Sequence, residues 1–232
     1  MIRWTVITMK KMIPIFLAFT ILSGCNLVQD ADKQLVKTGH TQTDKATTNQ
    51  HKAKSLSDIY VPNPQVTDDT KLLKIGQILK DDKGEVTLNG LAALNKSFHI
   101  GPIDMKIKNV KLIHNLPTYS LMDYFHYYTE HYEEFEFVKV EVELINHSSE
   151  NVRFGPVSHL TTSNNEEKVF KDDFYIEYLG GEIVANSSKQ GALGFIVEKT
   201  SPRLNWLEIT TSDVLDDNQK VIQKGQRIKV DF

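Results

Sequence analysis

Phe137-Val-Lys-Val-Glu-Val-Glu-Leu-Ile-Asn146 is the stretch on which the fold turns. Val138, Val140, Val142 and Leu144 fall on one side of an extended chain, and Lys139, Glu141 and Glu143 on the other. A period of two marks a strand with one face turned to a core. Asn146-His147-Ser148-Ser149 follows and predicts a turn, because short polar side chains bond their own backbone there. Upstream, Ile103, Met105 and Ile107 alternate with Asp104, Lys106 and Lys108. The apolar phase then resumes one residue out of step at Val110 and Leu112, which predicts a bulge near Lys108-Asn109.

Further strands are expected over Glu85 to Leu91, Val152 to Phe154 and Ser158 to Thr162, the last leading into a polar hairpin tip at Ser163-Asn164-Asn165-Glu166. Gly191 to Glu198, Trp206 to Thr211 and Arg227 to Phe232 complete the set, with turns at Gly180-Gly181 and Lys224-Gly225. Many short strands with polar turns and little helix predict an all-β fold, a β-sandwich with one short helical insertion. A doubly wound α/β fold would need helices between the strands, and their pattern is missing. The domain is expected to span residues 71–232, and about 160 residues can bury a core without disulfides.

The run Phe137 to Asn146, the following Val152-Arg-Phe154, the later Gln190-Gly-Ala-Leu-Gly-Phe-Ile-Val197 and the closing strand together resemble a known family. They are similar to the immunoglobulin-like, telokin-like extracellular domains of Gram-positive lipoproteins, the DUF4352 type. In that family a long strand ends in Asn with small polar residues, and a glycine precedes a strand carrying an aromatic, as Gly191 precedes Phe195. The resemblance implies an immunoglobulin-like sandwich and a cell-envelope setting. It implies no reaction and no shared catalytic residues.

Pro117 to Phe137 departs from strand patterning. Ser120-Leu-Met-Asp123 has the spacing of a capping box and predicts a helix start. On such a helix Leu121, Phe125, Tyr128 and Tyr132 share one face, and an aromatic stripe at that spacing is expected to be core. Tyr124, Tyr127 and His131 then lie toward the other side as a candidate binding patch, since exposed aromatics supply rigid contact area. The acidic run Glu130, Glu133, Glu134 and Glu136 beside them reads as a solvated face or as a lure for a basic partner. Asp123, His126 and Glu130 could share one helical side at metal-ligand spacing, but no HExxH occurs, so no metal site is assigned.

The amino terminus has its own chemistry. Arg3, Lys10 and Lys11 precede the uncharged stretch Met12 to Leu22, which ends in Leu22-Ser23-Gly24-Cys25. A bilayer span needs roughly 20 apolar residues, so a run of about 11 reads as the core of an export signal. The order of basic residues, apolar run, small residues and cysteine resembles the lipobox of bacterial lipoproteins, with residues 1–24 as signal peptide and Cys25 as the lipid attachment site. Two acyl chains on that sulfur suffice for stable anchoring. Met9 offers a second plausible start. Residues 25–70 are polar and unpatterned, as at Thr41-Gln-Thr-Asp-Lys45, and are expected to form a disordered tether reaching some 35–40 Å on average.

Cys25 is the single cysteine, so no disulfide and no thiol nucleophile is left. G-x-S-x-G, S-x-x-K and glycine-rich phosphate loops do not occur. Asp172-Asp173 and Asp216-Asp217 sit in turn-like stretches and read as solvated loops. A formal net charge of -3 and no clustered lysine or arginine argue against nucleic acid. The expectation is a lipid-anchored protein on the extracytoplasmic face of the cell membrane, a non-catalytic binding module with no cofactor. Its partners would be the membrane, through Cys25, and an envelope protein or glycan. The alternative is a small extracytoplasmic metal-dependent or hydrolytic enzyme using the histidine- and acid-rich segment 123–134.

Overall fold

Fourteen strands and one short α-helix follow one another in the computed structural model, which describes residues 62–232. The expected signal peptide, Cys25 and the tether as far as residue 61 lie outside the described residues. The elements are β1 (Ile78–Asp81), β2 (Gly84–Ala92), β3 (Lys96–Ile100), β4 (Ile103–Pro117), α1 (Tyr119–Phe125), β5 (Phe135–Asn146), β6 (Val152–Phe154) and β7 (His159–Thr162). They continue as β8 (Glu167–Val169), β9 (Gly181–Ile183), β10 (Ser188–Val197), β11 (Trp206–Thr210), β12 (Val214–Leu215), β13 (Val221–Gln223) and β14 (Arg227–Asp231). A 3₁₀ turn, Phe170–Asp172, follows β8.

The principal sheet has six strands in the order β1-β2-β4-β5-β10, with β3 also paired to β4. Strand β5 lies inside it, antiparallel to both β4 and β10, so that Val140 faces Val110 on one side and Leu193 on the other. The register slips between Ile107 and Asn109, at the bulge that the phase change foretold. Two four-stranded sheets, β14-β11-β7-β8 and β13-β12-β6-β9, complete the all-β sandwich.

Alternation decides what each face buries. Val138, Val140, Val142 and Leu144 of β5 join Ile103, Met105, Ile107, Val110 and Leu112 of β4 in the larger core. Phe154, Leu160, Leu207, Ile209 and Val230 meet them from the smaller sheets. Each fully buried aliphatic or aromatic side chain contributes about 1.5–3 kcal/mol.

The other face of the principal sheet is covered too, and here the fold departs from the sequence reading. Val86, Leu88, Ile113, Phe135, Phe137 and Ile196 form a second core, roofed by Val66, Leu72, Phe125, Phe174 and Tyr175. Residues 63–70, expected in the tether on composition, therefore hold buried side chains, and the domain begins no later than Asn63. Their apolar residues are too few to show a period, but they have a ready-made sheet to lie on. Lys139, placed on the strand side opposite Val138 and Val140, is 2% exposed beneath this cover. Its side of the strand was correctly placed; the expectation missed that the side is roofed.

Candidate functional site

The connection from β4 to β5 carries the candidate binding residues. Helix α1 starts after Thr118, two residues earlier than the expected cap at Ser120, and no side chain caps it. The Thr118 and Ser120 hydroxyls bond each other instead, 3.2 Å apart. It ends after seven residues, at Phe125, where His-Tyr-Tyr-Thr brings a run of weak helix formers. Turns then carry the chain on, with the Tyr128 and Thr129 amides donating to the Phe125 carbonyl at 2.8 and 3.1 Å.

The expected core stripe is there. Phe125 is fully buried, and Leu121, Tyr128 and Tyr132 pack half-buried against the second core. Tyr124 joins them, against its expected outward place. It lies one turn before Tyr128, so the apolar arc is wider than the stripe assumed. Its hydroxyl donates to the Phe174 carbonyl at 2.7 Å, and its ring meets Phe125 edge-on at 5.1 Å. Burial first, and then Tyr128, push its phenol above the ordinary range. Tyr127 faces solvent at 88% exposure, and so does Tyr119, which the sequence reading passed over. His131 is exposed, its backbone amide bonded to the Thr129 hydroxyl at 3.0 Å.

The acidic run divides in the same way. Glu130, Glu133 and Glu134 are exposed, whereas Glu136 is half-buried and accepts from the Asn89 amide at 2.5 Å. Asp123, His126 and Glu130 are all exposed, and among the described residues no three His, Cys, Asp or Glu side chains converge as a metal site. His126 instead packs edge-on against the Tyr132 ring at 4.9 Å. His147, expected in a turn, bonds Asp104 at 2.9 Å, and His99 bonds the other oxygen of the same carboxylate. Asp216 and Asp217 line a shallow polar groove of 460 Å³ with Ser149, Glu150, Asn151 and Asn218.

Two charged arrangements were not read from the sequence. Under the amino-terminal segment, Asp69 accepts from Lys111 at 2.7 Å and from Lys139 at 2.5 Å, all three side chains no more than 5% exposed. Lys111 and Lys139 are cross-strand neighbours in register. Burial pulls the Asp69 carboxyl up, and Lys139 and then Lys111 outweigh it, leaving the group below the usual carboxylate range. Only the pairing of distant strands brings two lysines together, so spacing along the chain gave no signal.

The second arrangement is a strap, residues 173–179, along the free edge of β10. Asp173 Oδ1 accepts the Gly194 amide at 2.8 Å and the Tyr175 amide at 3.1 Å. Glu177 Oε2 accepts the Ala192 amide at 2.8 Å. Phe174 and Tyr175 turn into the second core between these two anchors. Ile176 and Tyr178 turn out to solvent, at 42% and 80% exposure, both with left-handed backbone (φ 53° and 51°). A left-handed conformation at a non-glycine residue costs about 1–3 kcal/mol and is rarest for a β-branched one. The Asp172-Asp173 pair therefore does not act as one solvated loop: Asp172 is exposed and holds the Val169 amide, while Asp173 anchors the strap.

Together these features define an all-β sandwich with a roofed principal sheet and exposed tyrosines on the connection from β4 to β5. The chain belongs to the family of Uncharacterized protein YdhF of Bacillus subtilis (strain 168), to which it is 39% identical over 239 residues, 97% of this chain and 100% of that relative. No family model matches the sequence. Among solved structures it is similar to a functionally unknown protein from Listeria monocytogenes EGD-e, at 15% identity and a TM-score of 0.46, over 64% of this chain and 88% of that one. It is also similar to a conserved hypothetical protein from Bacillus anthracis, at 16% identity and a TM-score of 0.32, over 58% and 95% of the two chains.

Proposed function

We propose that this protein is a lipid-anchored lipoprotein on the extracytoplasmic face of the cell membrane, and that its domain, of the immunoglobulin-like, telokin-like kind, is a non-catalytic binding module for another envelope component. The observation that carries the binding reading is the pair Tyr119 and Tyr127, each 88% exposed on a connection whose other aromatics are packed inward. Tyrosine contributes contact area at small entropic cost and is enriched where proteins meet partners. His131, Glu130, Glu133 and Glu134 supply polar neighbours along the same connection. The anchoring reading rests on Leu22-Ser23-Gly24-Cys25 behind its basic and apolar segments. A tether between lipid and domain would hold the module at high local concentration near other membrane-bound components. No helix among the described residues is long and apolar enough to cross a membrane.

Cross-linking in intact cells tests this with three chains: native, Tyr119→Ala/Tyr127→Ala, and Cys25→Ser. Native protein is expected to capture one discrete envelope component, and the tyrosine variant to lose it while unfolding within about 0.5 kcal/mol of native. Capture that survives both tyrosine replacements moves the contact surface off this connection. The Cys25→Ser chain is expected to leave the detergent phase for the aqueous phase, and its retention with detergent would remove the lipid anchor. Tyr124 is left intact because its loss would strip the Phe174 carbonyl of its donor.

A further inference from the structure

We propose that the loop leading into β1 is a membrane-docking element, in which Leu73, Ile75 and Ile78 enter the surface of an anionic bilayer while Lys71, Lys74 and Lys80 lie against its headgroups. The proposal deepens the anchoring reading above and rests on it for bringing a membrane within reach.

The run is Lys71-Leu-Leu-Lys-Ile-Gly-Gln-Ile-Leu-Lys80. Folding uses only part of its apolar content. Leu72 is fully buried, and Leu79 packs against the second core. Leu73, Ile75 and Ile78 are left outside, at 64%, 61% and 56% exposure. They are the three most exposed large aliphatic side chains among the described residues, and they fall within six consecutive positions. Register explains Ile78: Leu79 pairs with Val86 and takes the second-core side of the sheet, so its neighbour takes the other.

The loop is firmly built. The Lys74 carbonyl accepts the Gln77 amide at 2.9 Å, closing a turn with Gly76 at φ 81°, so that Ile75 stands at the tip. Gln77 Oε1 accepts the Leu73 and Lys74 amides at 2.9 and 3.1 Å, and its Nε2 donates to the Lys71 carbonyl at 2.8 Å. The Gly76 amide donates to the Leu88 carbonyl at 2.7 Å and the Leu88 amide to the Gln77 carbonyl at 3.0 Å, which pins the turn to β2. A turn held by these bonds does not need aliphatic side chains at its tip, where polar residues are the rule.

Charge selects the occupant. No acid lies between Lys71 and Lys80, and all three lysines are exposed. Lys80 comes no closer than 3.8 Å to Glu85. Asp81, next in the chain, is spent on the Thr67 hydroxyl at 2.8 Å and the Lys83 amide at 2.9 Å, which leaves Asp82 as the exposed acid beyond. Aliphatic side chains flanked by lysines match an anionic bilayer, with carbon at the acyl boundary and ammonium groups among the headgroups. A second copy set patch to patch would oppose lysine to lysine. The connection carrying Tyr119 and Tyr127 has the opposite character, since Glu130, Glu133 and Glu134 would be repelled by an anionic surface. It meets the far end of β1, where the Thr118 amide donates to the Lys83 carbonyl at 2.9 Å. Place agrees with charge: 36 residues separate Cys25 from Pro62, and the loop follows the first described segment.

Quenching by nitroxide-bearing lipid tests the loop residue by residue. A dye is placed on a single thiol, at Ile75→Cys or, as reference, at Tyr127→Cys, in the full-length Cys25→Ser chain. On mixed phosphatidylcholine–phosphatidylglycerol vesicles the dye at 75 is expected to be quenched and the dye at 127 not. On pure phosphatidylcholine the quenching at 75 is expected to vanish. Each lysine near an anionic surface contributes about fivefold, so Lys71→Gln/Lys74→Gln is expected to lower the docking equilibrium at least about tenfold. Leu73→Ser/Ile78→Ser is expected to do the same with an unchanged thermal midpoint, both positions being exposed. No quenching at 75, or equal quenching at 75 and 127, overturns the proposal. So does concentration-dependent dimerisation that Leu73→Ser/Ile78→Ser abolishes, which would give the patch to a second copy. If the double variants do not fold, the two dye positions in the otherwise unaltered chain decide. Because the Cys25→Ser chain carries no lipid, its outcome is separate from the detergent partition that tests the anchor.

Discussion

Asp69 shows how much one buried carboxylate can hold. Two lysines lie within 2.7 Å of it, on neighbouring strands, under a segment that carries no other charge into the core. Removing the acid alone strands two buried cations, and breaking a buried ion pair in this way costs about 3–5 kcal/mol. Asp69→Ala is expected to lose that much in urea unfolding. Replacing the whole group with Leu at 69 and Met at 111 and 139 is expected to recover most of it, because apolar packing of similar volume is close to neutral. A carboxyl held below its ordinary 3.8 stabilises the fold above that value and loses its contribution as pH falls through the folded value. Native protein is therefore expected to lose stability on acidification below about pH 4 more steeply than Asp69→Ala.

Among the elements, β10 and its strap were half legible. The alternation at Leu193, Phe195 and Val197 announces a strand, and Gly191 and Gly194 within it look like weakness. The structure gives them a reason, since Tyr175 and Glu177 occupy the space their side chains would take. Gly194→Ala is expected to lower stability by about 1–3 kcal/mol through displacement of Tyr175, read as a shift in the thermal midpoint. Its near neutrality would mean that the strap is seated differently. Helix α1 makes the complementary case. Its aromatic stripe was readable because Leu121 and Phe125 recur at helical spacing, but its length was not. Seven residues with no side-chain cap are held by packing on Phe135 and Phe174, not by propensity.

Residues 62–232 form a sheet with two roofs, one the partner sheets of the sandwich and the other two segments of chain with a short helix. The amino-terminal segment is one of those roofing pieces, so the position at which the domain begins has consequences. A chain beginning at residue 62 is expected to unfold in one cooperative transition. One beginning at residue 75 loses Val66, Asp69 and Leu72 together, and is expected to show a broadened transition and to bind a dye for exposed apolar surface. A sharp transition in the shorter chain would show that the second core stands without this cover.

Period-two alternation along β4 and β5 was enough to declare the strands, their inward faces and the bulge at Lys108, because each of these is a local consequence of the pleat. What lies over the outer face of the principal sheet was beyond that reach. Lys139 looks solvent-facing from its neighbours, Tyr124 looks like part of an open patch, and Asp69 looks like tether. Each is buried or half-buried by residues 40 or more positions away. Burial of a polar group is a property of what packs over it, and the covering segments meet these residues only after the chain has folded back on itself.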